Sequence, residues 1–424
     1  MPSVTVLYND GTVSHETFSV TKEALPNPKR VFVIPDPADK LVQIREIIAA
    51  LQAGNIPLLF DGAMKSGDEK GRVLAQCNPD HYDELEDAAA LFYTSGTSGN
   101  SIAVVKTRRE LSSETEVHAE WMKEERFEQC LVTVPFFHIY GFLFGLSLPN
   151  ALNLPIVTKE HFLPNEILDL CAKKPTLCIT NPVFIRAMLR YNEKISLAET
   201  LFISSSGPLE SHEAERFEAK YSTRLIQLFG STETGGIALR QGGDLIWKPL
   251  CGVEISSDQG VLAVTSPFVS RSIFDNVFRP LPSLFRTTDI IEMMPDGFKI
   301  IGRAAELVKI GGKRLSIVEI ERFIESMEGI DEALGTVEYH SNTLRGEVLT
   351  LSLVGDRDKI NTTTLKKALH DYFGGIHIES KILMVEAIAK TALGKKIRAQ
   401  LFTDVTHFPG KAHKVAGTDV PTTP

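Results

Sequence analysis

At 424 residues the chain is too long for one ordinary domain and long enough to bury a large core. Hydrophobic residues make up 43% and charged residues 23%, an ordinary globular balance, and a formal net charge of -9 excludes the basic stripe of a generic nucleic-acid binder. No apolar run is long enough to span a membrane, and the first residues lack a basic region followed by an apolar stretch. The five cysteines (Cys77, Cys130, Cys171, Cys178, Cys251) are scattered and never spaced Cys-x-x-Cys, so neither a disulfide framework nor a zinc site follows. A cytoplasmic location is the default expectation.

Val31 to Ile34 reads as a short buried strand. Leu41 to Ala53 places Leu41, Ile44, Ile48 and Leu51 at helical spacing, and Gly54 supplies the stop before strand-like Ile56 to Phe60. The rhythm recurs at CLVTVPF from Cys130, TLCIT from Thr176, LFISSS from Leu201 and RLIQLFG from Arg224, each beside a helical stretch. Such alternation predicts an α/β fold: a large N-terminal domain of mixed, largely parallel sheets flanked by helices. From Asp244 to Ile301 the runs are shorter and turn-rich, which predicts an antiparallel sheet or a small β-barrel-like part.

The N-terminal domain is expected to cover residues 1–302, and a small α+β C-terminal domain residues 303–405. The latter has helix candidates Ile317–Met327 and Thr362–Phe373 and strand candidates around Gly335, Val348 and Ile382. Residues 406–424, rich in Pro, Gly and Thr, are expected to be disordered. No internal repeat or coiled coil is visible.

Four segments carry chemistry. Tyr93 to Asn100 (YTSGTSGN) follows an apolar run; small hydroxyl residues and glycines leave backbone N–H groups free to approach a polyanion. A Ser/Thr/Gly loop without a ligand reads equally well, and no Lys-Ser/Thr pair closes it as a Walker A loop would. Gln227 to Gly236 (QLFGSTETGG) joins a strand end and an aromatic to Thr232 and Glu233, a hydroxyl and a carboxylate suited to phosphate and metal. The alternative there is a strand-to-helix junction capped by Ser231 or Thr232. Phe285 to Asp289 and Gly302-Arg303 offer an Asp and an Arg for a ribose diol, although such residues alone are ordinary surface charges. Lys390 to Arg398 (KTALGKKIR) sets a lysine after a glycine, a pattern that is usually just solvated.

Taken in order, these segments resemble the adenylate-forming superfamily of acyl-CoA synthetases, carrier-protein ligases and luciferases. Tyr93 to Gly99 is similar to its phosphate loop, Phe229 to Gly235 to its Y-G-x-T-E-T-G turn, and Ser204 to Leu209 to its S-G-G-A-P-L segment. Pro135 to Gly141, Phe285 to Asp289, Gly302 to Gly312 and Thr391 to Arg398 resemble four further motifs of the superfamily. The resemblance implies that Thr94, Ser95, Gly96, Thr97, Ser98 and Gly99 hold the ATP phosphates. It implies an adenine pocket of Ser205, Ser206 and Gly207, with Phe229 stacking on the base beside Gly230. Thr232 is then expected to bond the α-phosphate, Glu233 to ligate Mg²⁺, and Asp289 with Arg303 to take the ribose hydroxyls. Lys395 bridges the acyl carboxylate and the α-phosphate in this expectation, and His138 lies beside the acyl pocket.

The implied reaction forms an acyl-adenylate with release of pyrophosphate and then passes the acyl group to a thiol. Two anions must be aligned and their charge neutralised, which calls for Mg²⁺, a lysine and N–H donors. In the superfamily the C-terminal domain then rotates about a hinge, withdrawing the lysine.

Three departures stand out. Asn100 is followed by Ser101, Ile102 and Ala103, so the loop lysine is absent, and Lys106 is one residue that could substitute for it. The hinge carries Ala305 and then Glu306, and the adenine-site aromatic is Phe229 rather than a tyrosine. Few residues precede Tyr93, and Val105 to Leu111 resembles a compact branch that loads acyl or aryl groups onto carrier proteins. Coenzyme A is the first expectation for the acceptor. The phosphopantetheine of an acyl carrier protein acting in trans is the alternative, and a degenerate nucleotide-binding homologue is a third reading. The acid is expected to be a monocarboxylic one, aromatic or medium-chain.

Overall fold

The computed structural model describes residues 3–8, 12–17, 32–33, 39–60, 87–95, 101–192, 195–275, 277–303, 307–310, 313–339, 347–372, 380–390 and 396. The chain divides after Ile301 into two compact units, the second starting at Gly302. No helix among the described residues is long and apolar enough to cross a membrane.

The first unit holds strands β1 (Ser3–Leu7), β2 (Val13–Thr17), β3 (Phe32–Val33), β4 (Ile56–Leu59), β5 (Ala88–Ser95), β6 (Ser101–Thr107), β7 (Gln129–Val132), β8 (Ile156–Lys159), β9 (Thr176–Thr180) and β10 (Thr200–Ser204). It continues with β11 (Arg224–Ser231), β12 (Gly235–Gln241), β13 (Lys248–Pro249), β14 (Glu254–Asp258), β15 (Val261–Thr265), β16 (Ser272–Asp275), β17 (Val277–Pro280), β18 (Phe285–Met294) and β19 (Gly297–Arg303). Among the described residues these form a nine-stranded sheet, β13-β12-β11-β10-β9-β7-β8-β1-β2, a six-stranded sheet, β17-β16-β6-β5-β4-β3, and a four-stranded sheet, β14-β15-β18-β19. From β11 through β10, β9, β7 and β8 to β1 all neighbours are parallel, so the large sheet is parallel at its centre and antiparallel at both ends.

Successive side chains of the central strands point to opposite faces, and both faces are covered by helices. Cys130, Val132, Leu177, Ile179, Leu201 and Ile203 pack on one face, with helix Lys40–Gln52 and the helical segment 139–151. Leu131, Cys178 and Phe202 pack on the other, with helices Pro164–Ala172, Pro182–Arg190 and Ser211–Tyr221. That is why these strands read as unbroken apolar runs.

Helix Lys40–Gln52 starts at Asp39, whose carboxylate accepts from the N–H groups of Leu41 (2.8 Å) and Val42 (3.0 Å). Leu41, Ile44, Ile47 and Ile48 are its buried apolar face, whereas Leu51, expected there, is only half-buried. Gly54 follows with φ 74°, the left-handed turn that ends the helix. The segment from Asp244 to Ile301 is shared between sheets: β14, β15, β18 and β19 form their own, while the β16–β17 hairpin joins the six-stranded sheet through antiparallel pairing of β16 with β6.

The second unit contains β20 (Leu307–Ile310), β21 (Lys313–Ser316), β22 (Ile330–Tyr339), β23 (Glu347–Gly355) and β24 (Ser380–Met384). Helices Ile317–Glu325 and Thr362–Tyr372 pack on the β22-β23-β24 sheet through Ile317, Ile320, Ile324, Leu365 and Leu369. All helix and strand candidates of this region are present, each helix ending one or two residues earlier than expected. The 406–424 tail lies outside the described residues.

Candidate functional site

Parallel strands end in loops on one side of the sheet, and a crevice opens where the chain reverses its direction of travel across the sheet. Here β7 leads to β8 on one side, and the chain then crosses back to β9 on the other. The ends beyond this point are fastened together. Thr133 donates its N–H to Ile179 O (2.9 Å) and shares a 3.0 Å hydroxyl contact with Thr180. The buried Tyr140 hydroxyl reaches the carbonyls of Ile203 (2.7 Å) and Thr180 (3.0 Å). His138, two residues earlier, precedes helix Ile139–Phe142 at its N-cap position, half-buried, with its ring 4.6 Å from that of Phe137.

Ser205, Ser206 and Gly207 leave the end of β10 beside β11. The Ser205 hydroxyl donates to Leu228 O at 2.9 Å, tying this segment to the residue before Phe229. Ser206 sits at φ 71°, a left-handed conformation costly for a residue with a Cβ. Behind the segment, the Arg186 guanidinium donates to Pro208 O (2.9 Å) while paired in two bonds with Glu213 (2.7 and 2.9 Å). Phe229 is backed by Trp247 and Phe298, with ring centroids 5.5 and 6.0 Å away. Arg240 lies over the Trp247 ring at 4.5 Å and donates to Leu209 O (2.6 Å) and Gln227 Oε1 (3.0 Å). Phe229 therefore has a rigid aromatic floor and a guanidinium behind it.

Beyond Phe229 and Gly230 no helix follows: β11 turns through Thr232 and Glu233 into antiparallel β12, which overturns the helix-cap alternative. The turn closes on itself. Ser231 N–H donates to Thr234 Oγ1 (3.0 Å), and Thr234 N–H donates to Ser231 Oγ (3.2 Å). Glu233 O accepts from Ser270 N–H (2.8 Å) and from Lys106 Nζ (3.4 Å), which also reaches Phe268 O at 2.7 Å. Lys106 is fully buried, so it does not offer its ammonium to a phosphate as the loop-lysine substitution required. Burial pushes its pKa down, and the carboxylates of Glu114, Glu110 and Glu233 oppose that shift.

Glu110 and Glu114 were not anticipated. Glu110, Glu114 and His118 form one buried stripe on helix Arg108–Trp121. Glu110 closes a reciprocal cap with Thr107 and accepts from Arg271 N–H at 3.2 Å. Glu114 accepts the N–H of Gly236 at 2.7 Å, and His118 Nε2 lies 3.7 Å from the same Glu114 oxygen. The spacing i, i+4, i+8, together with a lysine directly after the apolar run Ala103 to Val105, was the available signal.

Asp289, in β18, is buried, and its N–H donates to Thr287 Oγ1 at 3.0 Å. Phe285 of the same strand packs in the cluster that holds Trp247, Phe298 and Phe229. Arg303 is the last residue of β19, next to β18 in the sheet. Thr94 and Ser95 end β5, paired with Ile102 and Ser101 of β6. Gly96, Thr97, Ser98, Gly99, Ala305, Glu306 and Lys395 lie outside the described residues. The structure thus brings Ser205 to Gly207, Phe229 to Glu233 and His138 to the strand ends of one sheet. Among the described residues no group of three or more His, Cys, Asp or Glu forms a metal cage.

Fold and site together define an α/β domain with a ligand crevice at the carboxyl ends of its parallel strands. The AMP-binding enzyme family matches residues 20–260, more than half of the chain, and the protein belongs to that family. A long-chain-fatty-acid–CoA ligase of Bacillus subtilis is 24% identical over 381 residues, covering 82% of this chain and 66% of the relative. A 2-succinylbenzoate–CoA ligase of Listeria monocytogenes is 26% identical over 337 residues, covering 75% of this chain and 70% of the relative. The chain therefore spans about two thirds of the length of these curated relatives. The solved structure of ATP-bound MatB from Rhodopseudomonas palustris superposes with a TM-score of 0.74 at 19% identity, over 92% of this chain and 93% of that one.

Proposed function

We propose that the protein activates a carboxylic acid as an acyl-adenylate at the expense of ATP, releasing pyrophosphate, and then passes the acyl group to a thiol. The observation that carries this reading is the fastened Ser231–Gly235 turn beside the backed Phe229, at the strand ends of an AMP-binding family member. Two relatives named as CoA ligases support coenzyme A as the acceptor. Carrier-protein phosphopantetheine is the second acceptor to test, on the strength of the Val105 to Leu111 resemblance.

In this reading Ser205, Ser206 and Gly207 hold the adenine against Phe229, and the 94–99 segment holds the phosphates. Asp289 and Arg303 take the ribose, and Thr232 bonds the α-phosphate. Glu233 is a half-buried single carboxylate on a turn, and no described side chain hydrogen-bonds it. That fits Mg²⁺, which is commonly held by one or two carboxylates, with substrate phosphates and water completing its shell. The metal supplies charge neutralisation as pyrophosphate leaves. Lys395, in a domain reading of 303–405, neutralises charge between the acyl carboxylate and the α-phosphate, and His138 borders the acyl site. A monocarboxylic acid, aromatic or medium-chain, and a cytoplasmic setting complete the proposal.

Pyrophosphate release across a panel of acids tests it, with coenzyme A and a holo-carrier protein as separate acceptor arms. We expect release with at least one acid and a fall of about 100-fold or more for Lys395→Ala. No release with any acid, or a Lys395→Ala variant as active as wild type, overturns the assignment.

A further inference from the structure

Lys106 follows the buried apolar residues Ala103, Val104 and Val105 on β6, yet it places an ammonium in the interior. Burying it costs several kcal/mol unless its donors and charge are matched. Both are matched by groups that belong to or support one turn. Lys106 Nζ reaches Phe268 O at 2.7 Å and Glu233 O at 3.4 Å. Glu114, 2% exposed, takes the Gly236 N–H at 2.7 Å. A cation thus grips the carbonyl at Glu233, and an anion grips the amide three residues later. Between them Gly235 has φ 68°, and a Cβ there would lie 2.3 Å from Glu114 Oε2. Any side chain at Gly235 would therefore press on Glu114.

Resting on the reading of Thr232 and Glu233 as the phosphate and metal turn, we propose that the buried Lys106–Glu114 pair is the positioning element that sets this turn for Mg²⁺ and ATP. Fixing the carbonyl of Glu233 fixes the direction in which its side chain leaves the backbone. Lys106 acts from beneath the turn through Glu233 and does not contact the nucleotide. The groups facing it are Glu114, Glu110 and Glu233, with Arg271 N–H on Glu110 and His118 beside Glu114. Removing the ammonium takes away the positive charge nearest two buried carboxylates and leaves the Glu233 carbonyl held by the Ser270 N–H alone.

The test follows two readouts across a Mg²⁺ titration: the rise in unfolding temperature on adding ATP, and acid-dependent pyrophosphate release. Lys106→Met is expected to raise the Mg²⁺ needed for half-maximal response about tenfold, with kcat at saturating Mg²⁺ within about threefold of wild type. Glu114→Gln keeps an oxygen for Gly236 N–H but loses the charge, and is expected to raise the Mg²⁺ requirement about threefold. Lys40→Met is the control: it removes a half-buried ammonium bound to Lys159 O on β8 and should leave the Mg²⁺ dependence unmoved, whatever it does to the unfolding temperature. A folded Lys106→Met variant with wild-type Mg²⁺ dependence overturns the proposal. If that variant does not fold, an unmoved Mg²⁺ dependence in Glu114→Gln overturns it. A wild type stabilised by Mg²⁺ and ATP that releases no pyrophosphate sinks the adenylation reading only, and the thermal titration still judges the pair. A wild type with neither response sinks both.

Discussion

Two lysines in the first unit, Lys40 half-buried and Lys106 fully buried, invite comparison. Lys40 opens the helix on one face of the large sheet and sets its ammonium on Lys159 O (2.5 Å) and Thr158 Oγ1 (3.4 Å). Its pKa is lowered to about 8 because burial disfavours the charge, with only Glu160 opposing. Lys106 is buried further still, but two buried glutamates on the neighbouring helix and the carboxylate of Glu233 oppose the same desolvation. The difference teaches that a buried lysine can be tolerated in two ways. One sheds its charge readily and ties a strand end. The other keeps company with carboxylates and ties together the segments around a turn.

The largest effect that would break this comparison is expected at Gly235. An alanine there meets Glu114 Oε2 at 2.3 Å and Phe268 Cβ at 2.9 Å in a left-handed conformation. We expect Gly235→Ala to lower stability by about 3 kcal/mol or to prevent folding, as read by urea denaturation. A loss below about 1 kcal/mol would mean that the turn yields and that Lys106 and Glu114 do not hold it tightly.

Next in size is the pH dependence of the Lys40 region. Its folded-state pKa, about 8, lies below the ordinary lysine value of 10.5, so the unfolded chain binds more protons between those values. Stability therefore rises with pH across that window, while below pH 8 the full cost of burying the charge remains. Up to about 3 kcal/mol of rise belongs to Lys40, and Lys40→Met should remove it from denaturation midpoints measured between pH 8 and 10. Parallel profiles for variant and wild type would show that Lys40 is not the group responsible.

The smallest effect concerns Ser206, on the site side of the sheet. Relieving its left-handed strain with glycine is expected to stabilise the fold by about 1 kcal/mol or less. An equal or larger loss in thermal stability would mean that the Ser206 side chain makes up for its backbone conformation.

The strands of the central sheet were readable because burial on both faces forces continuous apolar runs, and the first helix because its apolar residues recur at helical spacing before Gly54. Leu51 was misjudged because a continuous 3.6-residue period favours Ile47 on the inner face. The sharing of residues 244–301 among three sheets was not readable, since the pairing of β16 with β6 joins segments far apart in sequence. Of the candidate site, the order of motifs picked out the Ser231–Gly235 turn and the Ser205–Gly207 segment, which the fold sets on neighbouring strand ends. Lys106 was misread as a phosphate ligand, because spacing along a strand says nothing about which face is covered.

By itself the sequence determined the α/β rhythm and the family, since each is written in local pattern. Tertiary structure alone decided that Lys106 turns inward, that Glu114 meets Gly236, and that Phe229 rests on Trp247 and Phe298. The physical reason is burial: a charge or ring takes its role from neighbours that only the folded chain brings within a few ångströms.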